Sequence, residues 1–242
     1  VVKEDKASYV EKTEQNVIKI AKLQDKLFAE GKEGVIVALQ AMDAAGKDGT
    51  IKHVMSGVNP QGVHVVSFKQ PTSKELAHDY LWRVNQALPE RGKIAIFNRS
   101  HYEDVLVTQI HEMERGYKMA ERCFKDGSMK IFLNVSKDEQ KKRFLERIND
   151  EGKNWKFSKS DLEERKLWDE YHELYEEIIE RTGTKHNPWY IVPADQKWYA
   201  RFVVSEIIVK ILEDCEPEYP DIPEVEKMRL ADCKKALEEE RK

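Results

Sequence analysis

Five short runs of β-branched and apolar residues recur along the chain, and stretches with helical spacing of apolar positions separate nearly all of them. The runs lie at residues 35–39, 63–68, 93–97, 129–135 and 189–192. Short apolar runs of this kind are typical of buried parallel strands. Alternating strands and helices predict an α/β fold, a parallel five-stranded sheet with helices on both faces. In such sheets ligands bind beyond the C-terminal ends of the strands.

Helices are predicted over residues 8–30 and 72–88, from Ser136, from Ser160, and from Asp195 to about residue 213. Three of these stretches begin with a Ser or Thr three residues before a Glu, which is the spacing of a capping box. An arm with three prolines and a charged helical end follows at residues 214–242. At 242 residues the chain is long enough for one domain, residues 1–242, with these decorations.

Composition narrows the classes of partner. The chain carries 41 basic and 45 acidic residues, a net charge of −4, which argues against a nucleic-acid or membrane-surface protein. No apolar run reaches the roughly 18 residues of a membrane span, so we expect a cytoplasmic protein. Cys123, Cys215 and Cys233 form no C-x-x-C pair and predict neither disulfides nor zinc.

A phosphate-binding motif follows the first predicted strand. It matches G-x-x-x-x-G-K-[ST] at Gly46 and Lys47, whereas Ala41 replaces the first Gly and Asp48 replaces the hydroxyl residue. A loop that opens a helix directs backbone N–H groups at an anion. The candidate phosphate-binding residues are Ala44, Ala45, Gly46, Lys47, Asp48, Gly49 and Thr50. The alternative is an ordinary strand-to-helix turn, capped by Asp48.

Asp43 lies inside this motif. A carboxylate in a phosphate cradle repels the substrate unless a cation lies between them, so Asp43 predicts bound Mg²⁺. The alternative is a turn-forming Asp that faces water.

A second polar motif, residues 98–104, follows the third predicted strand. Arg99 can bind phosphate bidentately, and Asp104 or Glu103 can hold Mg²⁺ or polarise a nucleophilic oxygen. The alternative is a surface Arg–Asp pair. A charged groove for a polyanion is predicted from basic residues in segments that lead to or flank the strand ends: Lys69, Arg83, Arg99, Lys141 and Lys142. His101 has no metal-ligand spacing to another His and is interpreted as structural.

The segment at residues 137–165 is predicted to be a helical lid, called the lid segment below. Between residues 137 and 159 it has eight basic and five acidic residues, within an acidic protein. Arg143 and Arg147 are four residues apart and share a helix face. Such a face can close over phosphates. The alternative is a solvated helix whose apolar side faces the core.

These residues resemble the polyphosphate kinase 2 family. The resemblance covers most of residues 35–209, in ALQAMDAAGKDGT, in HDYLWRVNQALPERGKIAIFNRSHYEDVLV, in QKKRFLERI with WKFS, and in PWYIVPADQKWYARFVV. It implies a P-loop, thymidylate-kinase-like fold. The wording NRSHYEDVLV is similar to members that accept both nucleoside mono- and diphosphates. Residues 111–123 look shorter than the family's connection and receive no role.

The resemblance also implies a set of site residues. Asp43, Lys47, Arg99, Asp104, Arg143 and Arg147 would be catalytic, Asp43 and Asp104 would hold Mg²⁺, and Asn98 would join the phosphate-binding residues. The implied reaction is Mg²⁺-dependent transfer of phosphoryl groups from inorganic polyphosphate to ADP or AMP. Adenine nucleotides are the expected partners, with guanine nucleotides as a second option, and a homodimer or homotetramer is expected. The alternatives are an ATP-dependent nucleotide kinase and a non-catalytic polyanion-binding module.

Overall fold

The computed structural model describes residues 6–104, 106, 129–185 and 187–240. Its five strands are β1 (Val35–Gln40), β2 (Val63–Ser67), β3 (Ile94–Asn98), β4 (Met129–Asn134) and β5 (Trp189–Pro193). They form one sheet in the order β2-β3-β1-β4-β5, and every pairing is parallel. Each strand agrees with its predicted run to within one residue, so the α/β prediction is confirmed.

The α-helices are α1 (Lys6–Glu30), α2 (Lys47–Val54), α3 (Ser73–Leu76), α4 (Trp82–Gln86), α5 (Lys137–Asn149), α6 (Lys159–Lys166), α7 (Trp168–Thr182), α8 (Lys197–Asp214) and α9 (Glu224–Glu239). Short 3-10 helices lie at Pro60–Gly62 and Asn154–Lys156. No helix in the described ranges is long and apolar enough to cross a membrane. Residues 111–123 lie outside the described residues.

The prediction of one helix over residues 72–88 is wrong. Thr72 forms the predicted capping box with Glu75, but α3 ends after four residues at Leu76. The carboxylate of Asp79 accepts a hydrogen bond from the backbone N–H of Leu81 at 3.0 Å. This local bond competes with helical pairing and separates α3 from α4.

The helix predicted to begin at Ser160 has different bounds in the structure. Ser158 caps α6 in a capping box with Asp161, two residues before the predicted start. The helix then stops at Leu167, and α7 begins at Trp168. Ser136 does cap α5, because its hydroxyl accepts from the N–H of Glu139, but the N–H of Ser136 donates to Asp195 instead of Glu139.

The core packs on both faces of the sheet. On one face, Val37 and Leu39 of β1 lie in a cluster with Ile20 of α1 and Leu212 of α8. Ala38, which points to the opposite face because side chains alternate along a strand, lies in a second cluster with Val84 of α4 and Phe97 of β3. α1 and α8 pack against one another along their length. This framework brings the ends of β1, β3 and β4 to one edge of the sheet.

Candidate active site

The phosphate loop, residues 41–46, joins β1 to α2. Ala44 and Gly46 adopt left-handed conformations, with φ of 61° and 104°. The backbone N–H groups of Ala44, Gly46 and Lys47 have no acceptor among the described residues. The N–H of Ala45 donates to Met42, and that of Thr50 donates to Gly46 within the helix. The amides of Ala44, Gly46 and Lys47 are therefore available to an anion, whereas those of Ala45 and Thr50 are already paired, and phosphate binding by the loop stays a prediction.

Lys47 is buried, although a residue in a loop beyond the strand ends would be expected to be exposed. It is the first residue of α2 and is 9% exposed. Its Nζ donates to the carbonyl oxygen of Ala41 at 2.6 Å. Burial lowers the pKa of Lys47, and nearby Arg99 lowers it further, whereas Asp43 raises it. The ammonium group is held at the end of β1, next to the free amides of the loop.

Arg99 joins the two motifs. It follows β3 with a φ of 67°, and its N–H donates to the carbonyl oxygen of Leu39 in β1 at 3.0 Å. Its guanidinium donates to Asp43 at 2.7 Å and lies 3.7 Å from Glu103. Burial opposes the charged form of Arg99, but the carboxylates of Glu103 and Asp43 outweigh that effect and raise its pKa. Asp43 and Arg99, each named as a site residue from the sequence, are therefore brought together.

Asp48 replaces the usual hydroxyl residue and has its own partners. It accepts a hydrogen bond from Asn98 at 2.8 Å and lies 3.6 Å from the ammonium group of Lys156 in the lid segment. Burial alone would raise the pKa of Asp48. The hydrogen bond from Asn98 and the charge of Lys156 outweigh burial, so the pKa of Asp48 is lowered overall. Asn98, predicted to bind phosphate, thus holds Asp48 in this structure.

Arg83 and Asp104 form a buried ion pair. Arg83 donates to both carboxylate oxygens of Asp104 at 2.7 Å and to the carbonyl oxygen of Lys69 at 2.8 Å. Burial raises the pKa of Asp104, and Arg83 opposes that shift. Arg83 was predicted to bind phosphate, but its contacts are those of a residue that supports Asp104 and the segment of Lys69.

Among the predicted site residues, Arg143 has the contacts that differ most from its predicted role. It was expected to face the phosphates from a lid, but it is 5% exposed and all five of its N–H groups donate to other protein atoms. They donate to the Glu139 carboxylate and to the carbonyl oxygens of Ala44, Ala45, Ala194 and Asp195, at 2.6 to 3.0 Å. No donor of Arg143 is left for a phosphate in this arrangement.

Arg147 keeps more freedom than Arg143. Its side chain is 23% exposed and lies 3.9 Å from Asp161, so the ion pair is a loose one. The lid segment consists of α5, the 3-10 helix and most of α6. Of the two predicted lid arginines, only Arg147 has a guanidinium that can turn towards a ligand.

His101 is buried and is interpreted as structural, as expected from the sequence. Its side chain is 2% exposed. Burial lowers its pKa to about 3, with contributions from the charges of Arg83 and Lys130. The imidazole is neutral near pH 7.

A cavity of about 390 Å³ opens beside the phosphate loop. Its charged lining residues are the acids Asp43, Glu103, Asp104, Asp161 and Glu164 and the bases Lys69, Arg99 and Arg165. Phe68, Tyr171 and Tyr175 supply aromatic walls. The volume lies within the range of small-ligand sites. The cavity thus combines apolar surface with charges of both signs at the ends of β1 and β3.

Sequence reasoning missed Gln140 and gave Glu103 only a secondary place. Gln140 is 1% exposed and donates to the carbonyl oxygen of Asp43 at 3.0 Å, and it accepts from Arg165 at 2.6 Å. Glu103 was named only as an alternative to Asp104, yet it lines the cavity beside Arg99. Gln140 precedes Arg143 by three positions and so shares its helix face. That spacing was visible in the sequence, but what the face contacts was not.

The carboxylates suit a divalent cation that the substrate helps to hold. Among the residues that the structure describes, no three His, Cys, Asp or Glu side chains converge on one point. Asp43 uses Oδ1 to accept from Arg99, and its other oxygen receives no hydrogen bond from the described residues. Both oxygens of Asp104 accept from Arg83. Mg²⁺ is commonly bound by one or two carboxylates together with phosphates and water, which fits Asp43 best.

A parallel sheet, a loop of free amides before a helix, a Lys at its start and an Arg–Asp pair across from it define a P-loop kinase fold. The family model for polyphosphate kinase 2 matches residues 3–220 of the chain. The chain belongs to the polyphosphate kinase 2 family, for which transferase chemistry with a divalent metal is expected.

Relatives and solved structures agree with this placement. The chain is 49% identical over 214 residues to an AMP/ADP-polyphosphate phosphotransferase of Meiothermus ruber, covering 84% of the chain and 80% of that protein. It is 42% identical to an ADP-polyphosphate phosphotransferase of Rhodopseudomonas palustris, covering 97% and 89%. A crystal structure of polyphosphate kinase 2 from Arthrobacter aurescens is similar with a TM-score of 0.83 at 39% identity, covering 96% of the chain and 87% of that chain.

Proposed function

We propose that this protein transfers phosphoryl groups from inorganic polyphosphate to ADP and AMP, with Mg²⁺ as cofactor. The observation that carries this function is the cavity in which Asp43, Arg99 and the first residues of the phosphate loop meet. Phosphoryl transfer needs positive charge for the transferred group and carboxylates that hold a cation or orient the nucleophile. The names of the two relatives above support the choice of substrates.

Each residue of the site has a proposed task. The free amides of Ala44, Gly46 and Lys47, together with the Lys47 ammonium group, bind the donor phosphates. Arg99 offsets charge that develops on the transferred group, since it lies between the two motifs. Mg²⁺ held by Asp43, with Asp104 as the second candidate ligand, would screen repulsion between the donor and acceptor phosphates. Positioning and electrostatics then supply most of the rate.

The acceptor nucleotide is assigned to the cavity. Phe68, Tyr171 and Tyr175 provide aromatic surface for a base or ribose, and Lys69 and Arg165 provide positive charge for its phosphates. Arg147 is proposed to turn from Asp161 towards the transferred group when substrates bind. Arg143 is not assigned a phosphate contact, because its donors are already used.

The contacts of Arg143 favour a polyphosphate donor over ATP. One guanidinium hydrogen-bonds both the phosphate loop and the loop after β5, through Ala45 and Ala194 at 2.9 and 2.6 Å. A slot for a purine between these two loops would require the hydrogen bonds of Arg143 to break. A polyphosphate donor needs no such slot, whereas an ATP-dependent nucleotide kinase requires a base pocket on the donor side.

A product assay tests the function. Purified protein, Mg²⁺ and long-chain polyphosphate are incubated with ADP or with AMP, without ATP, and nucleotides are separated by ion-exchange chromatography. We expect ATP from ADP, and ADP followed by ATP from AMP. No product from either acceptor, together with ready phosphorylation of AMP by ATP, would establish the ordinary nucleotide kinase instead.

Two further properties belong to the proposal. The homodimer or homotetramer implied by the resemblance is testable by sedimentation velocity at micromolar concentrations. Guanine nucleotides are proposed as second acceptors, which the same product assay tests with GDP and GMP.

A further inference from the structure

Side chains of one helix, α5, donate hydrogen bonds to three carbonyl oxygens of the phosphate loop. The carbonyl oxygen of Asp43 accepts from Gln140, and those of Ala44 and Ala45 accept from Arg143, at 2.9 to 3.0 Å. Gln140 and Arg143 lie three residues apart on α5 and therefore share a face. Three consecutive carbonyl groups of the loop thus point to α5.

This arrangement explains how the loop keeps its shape. Ala44 has a φ of 61°, a left-handed conformation that is strained for residues other than Gly. Strained backbone persists where the surrounding structure holds it in place. Gln140 and Arg143 are 1% and 5% exposed, so their hydrogen bonds are shielded from competing water. With the carbonyl groups fixed towards α5, the N–H groups of Ala44 and Gly46 stay without protein acceptors.

The same two side chains connect the loop to other parts of the site. Arg143 also donates to the carbonyl oxygens of Ala194 and Asp195 after β5. Gln140 accepts from Arg165 of α6, which lines the acceptor cavity. The loop is therefore tied through α5 to the end of β5 and to the wall of the cavity.

We propose that Gln140 and Arg143 are positioning residues that hold the phosphate loop ready to bind anions by fixing the carbonyl oxygens of Asp43, Ala44 and Ala45. They act through the loop and not by touching the phosphates. The proposal deepens the proposed function, because the anion bound by the loop is the phosphoryl donor. It replaces the lid role that the sequence predicted for Arg143.

Two variants remove donors without removing bulk. Arg143→Lys keeps the charge but lacks the planar fork that reaches both loops at once. Gln140→Glu keeps an acceptor for Arg165 and removes the donor to Asp43. Glu146→Gln is the matched control, because this residue of the same helix is 54% exposed and has only a weak contact with Lys197 at 3.9 Å.

The first measurement is amide hydrogen exchange of the peptide that spans residues 41–50, which requires no turnover. We expect Arg143→Lys and Gln140→Glu to speed exchange there while peptides from β4 and the control variant stay unchanged. Faster exchange throughout the protein would mean general destabilisation and would overturn the proposal. Since the exchange does not depend on activity, the proposal can be judged even if the wild type makes no ATP.

The second measurement separates positioning from direct phosphate contact. Misplacement of a reacting group by about 1 Å costs on the order of a hundredfold, so we expect kcat of Arg143→Lys to fall by about that factor, with KM for the nucleotide little changed. Arg143→Gln should bind long-chain polyphosphate more weakly at every salt concentration, with the same slope against log salt as the wild type. A slope reduced by about one, as for a lost phosphate contact, would overturn the proposal. Near-normal kcat in Arg143→Lys would overturn it as well.

Discussion

The ion pair of Arg83 and Asp104 allows a sharp test of what Arg83 does. The two side chains are 7% and 13% exposed, and one guanidinium nitrogen donates to both carboxylate oxygens at 2.7 Å. Replacing Arg83 by Met leaves a largely buried carboxylate without its guanidinium. Breaking a buried pair in this way costs about 3–5 kcal/mol, and we take about 3 kcal/mol because Asp104 keeps some contact with water.

This cost should be visible in thermal unfolding. For a domain of this size about 1 kcal/mol corresponds to roughly 2–4 °C, so Arg83→Met should lower Tm by about 6–12 °C. Urea denaturation gives the free energy of unfolding directly, with an unchanged m-value as the check of two-state behaviour. Lys210→Met is the control, because its pair with Asp214 is 67% and 63% exposed and should contribute under about 1 kcal/mol.

Turnover of Arg83→Lys completes the test. Lys keeps a charge that could bind phosphate, but it cannot reproduce the paired contacts to Asp104 and the Lys69 carbonyl. We therefore expect Arg83→Lys to lose stability and activity together. If Arg83→Met lowers the free energy of unfolding by less than about 1 kcal/mol, Arg83 does not stabilise the Asp104 carboxylate. The same conclusion follows if Arg83→Lys keeps full activity while unfolding more easily.

Three further predictions concern the charged residues. Asp43→Asn should greatly reduce turnover and weaken its dependence on Mg²⁺ in a titration; an unchanged Mg²⁺ response would leave Asp43 as a turn residue. Lys47→Ala should abolish turnover and also lower the free energy of unfolding by about 1–3 kcal/mol in urea denaturation, because it removes the buried hydrogen bond to the carbonyl oxygen of Ala41; an unaltered midpoint would contradict this. Arg147→Ala should reduce kcat far more than Lys159→Ala does. Equal losses of kcat would indicate a diffuse electrostatic field of the lid segment and not an arginine directed at the transferred group.

The sequence was sufficient to predict the sheet, and it placed the candidate site residues at the ends of the strands. Short apolar runs predict strands well, because a buried parallel strand is apolar on both faces, and all five agree with the structure. Gly46 and Lys47 after such a run predict the phosphate loop, since a strand-to-helix turn of this kind has one recurrent use. Asp43 and Arg99 were both placed at strand ends from the sequence, and the structure brings them into contact because β1 and β3 end at the same edge of the sheet.

The partners of individual side chains were decided only by the tertiary structure. Arg143 and Arg147 share one helix face in the sequence, yet Arg143 is buried against the phosphate loop and the end of β5, whereas Arg147 reaches Asp161. The contacts of Arg143 with the two loops join residues about 50 to 100 positions apart, so no local spacing contains them. The break of the helix at Asp79 depends on a side chain competing for a backbone N–H. Sequence periodicity places a residue on a face of its helix, but long-range packing determines whether that face meets carbonyl oxygens, a carboxylate or water.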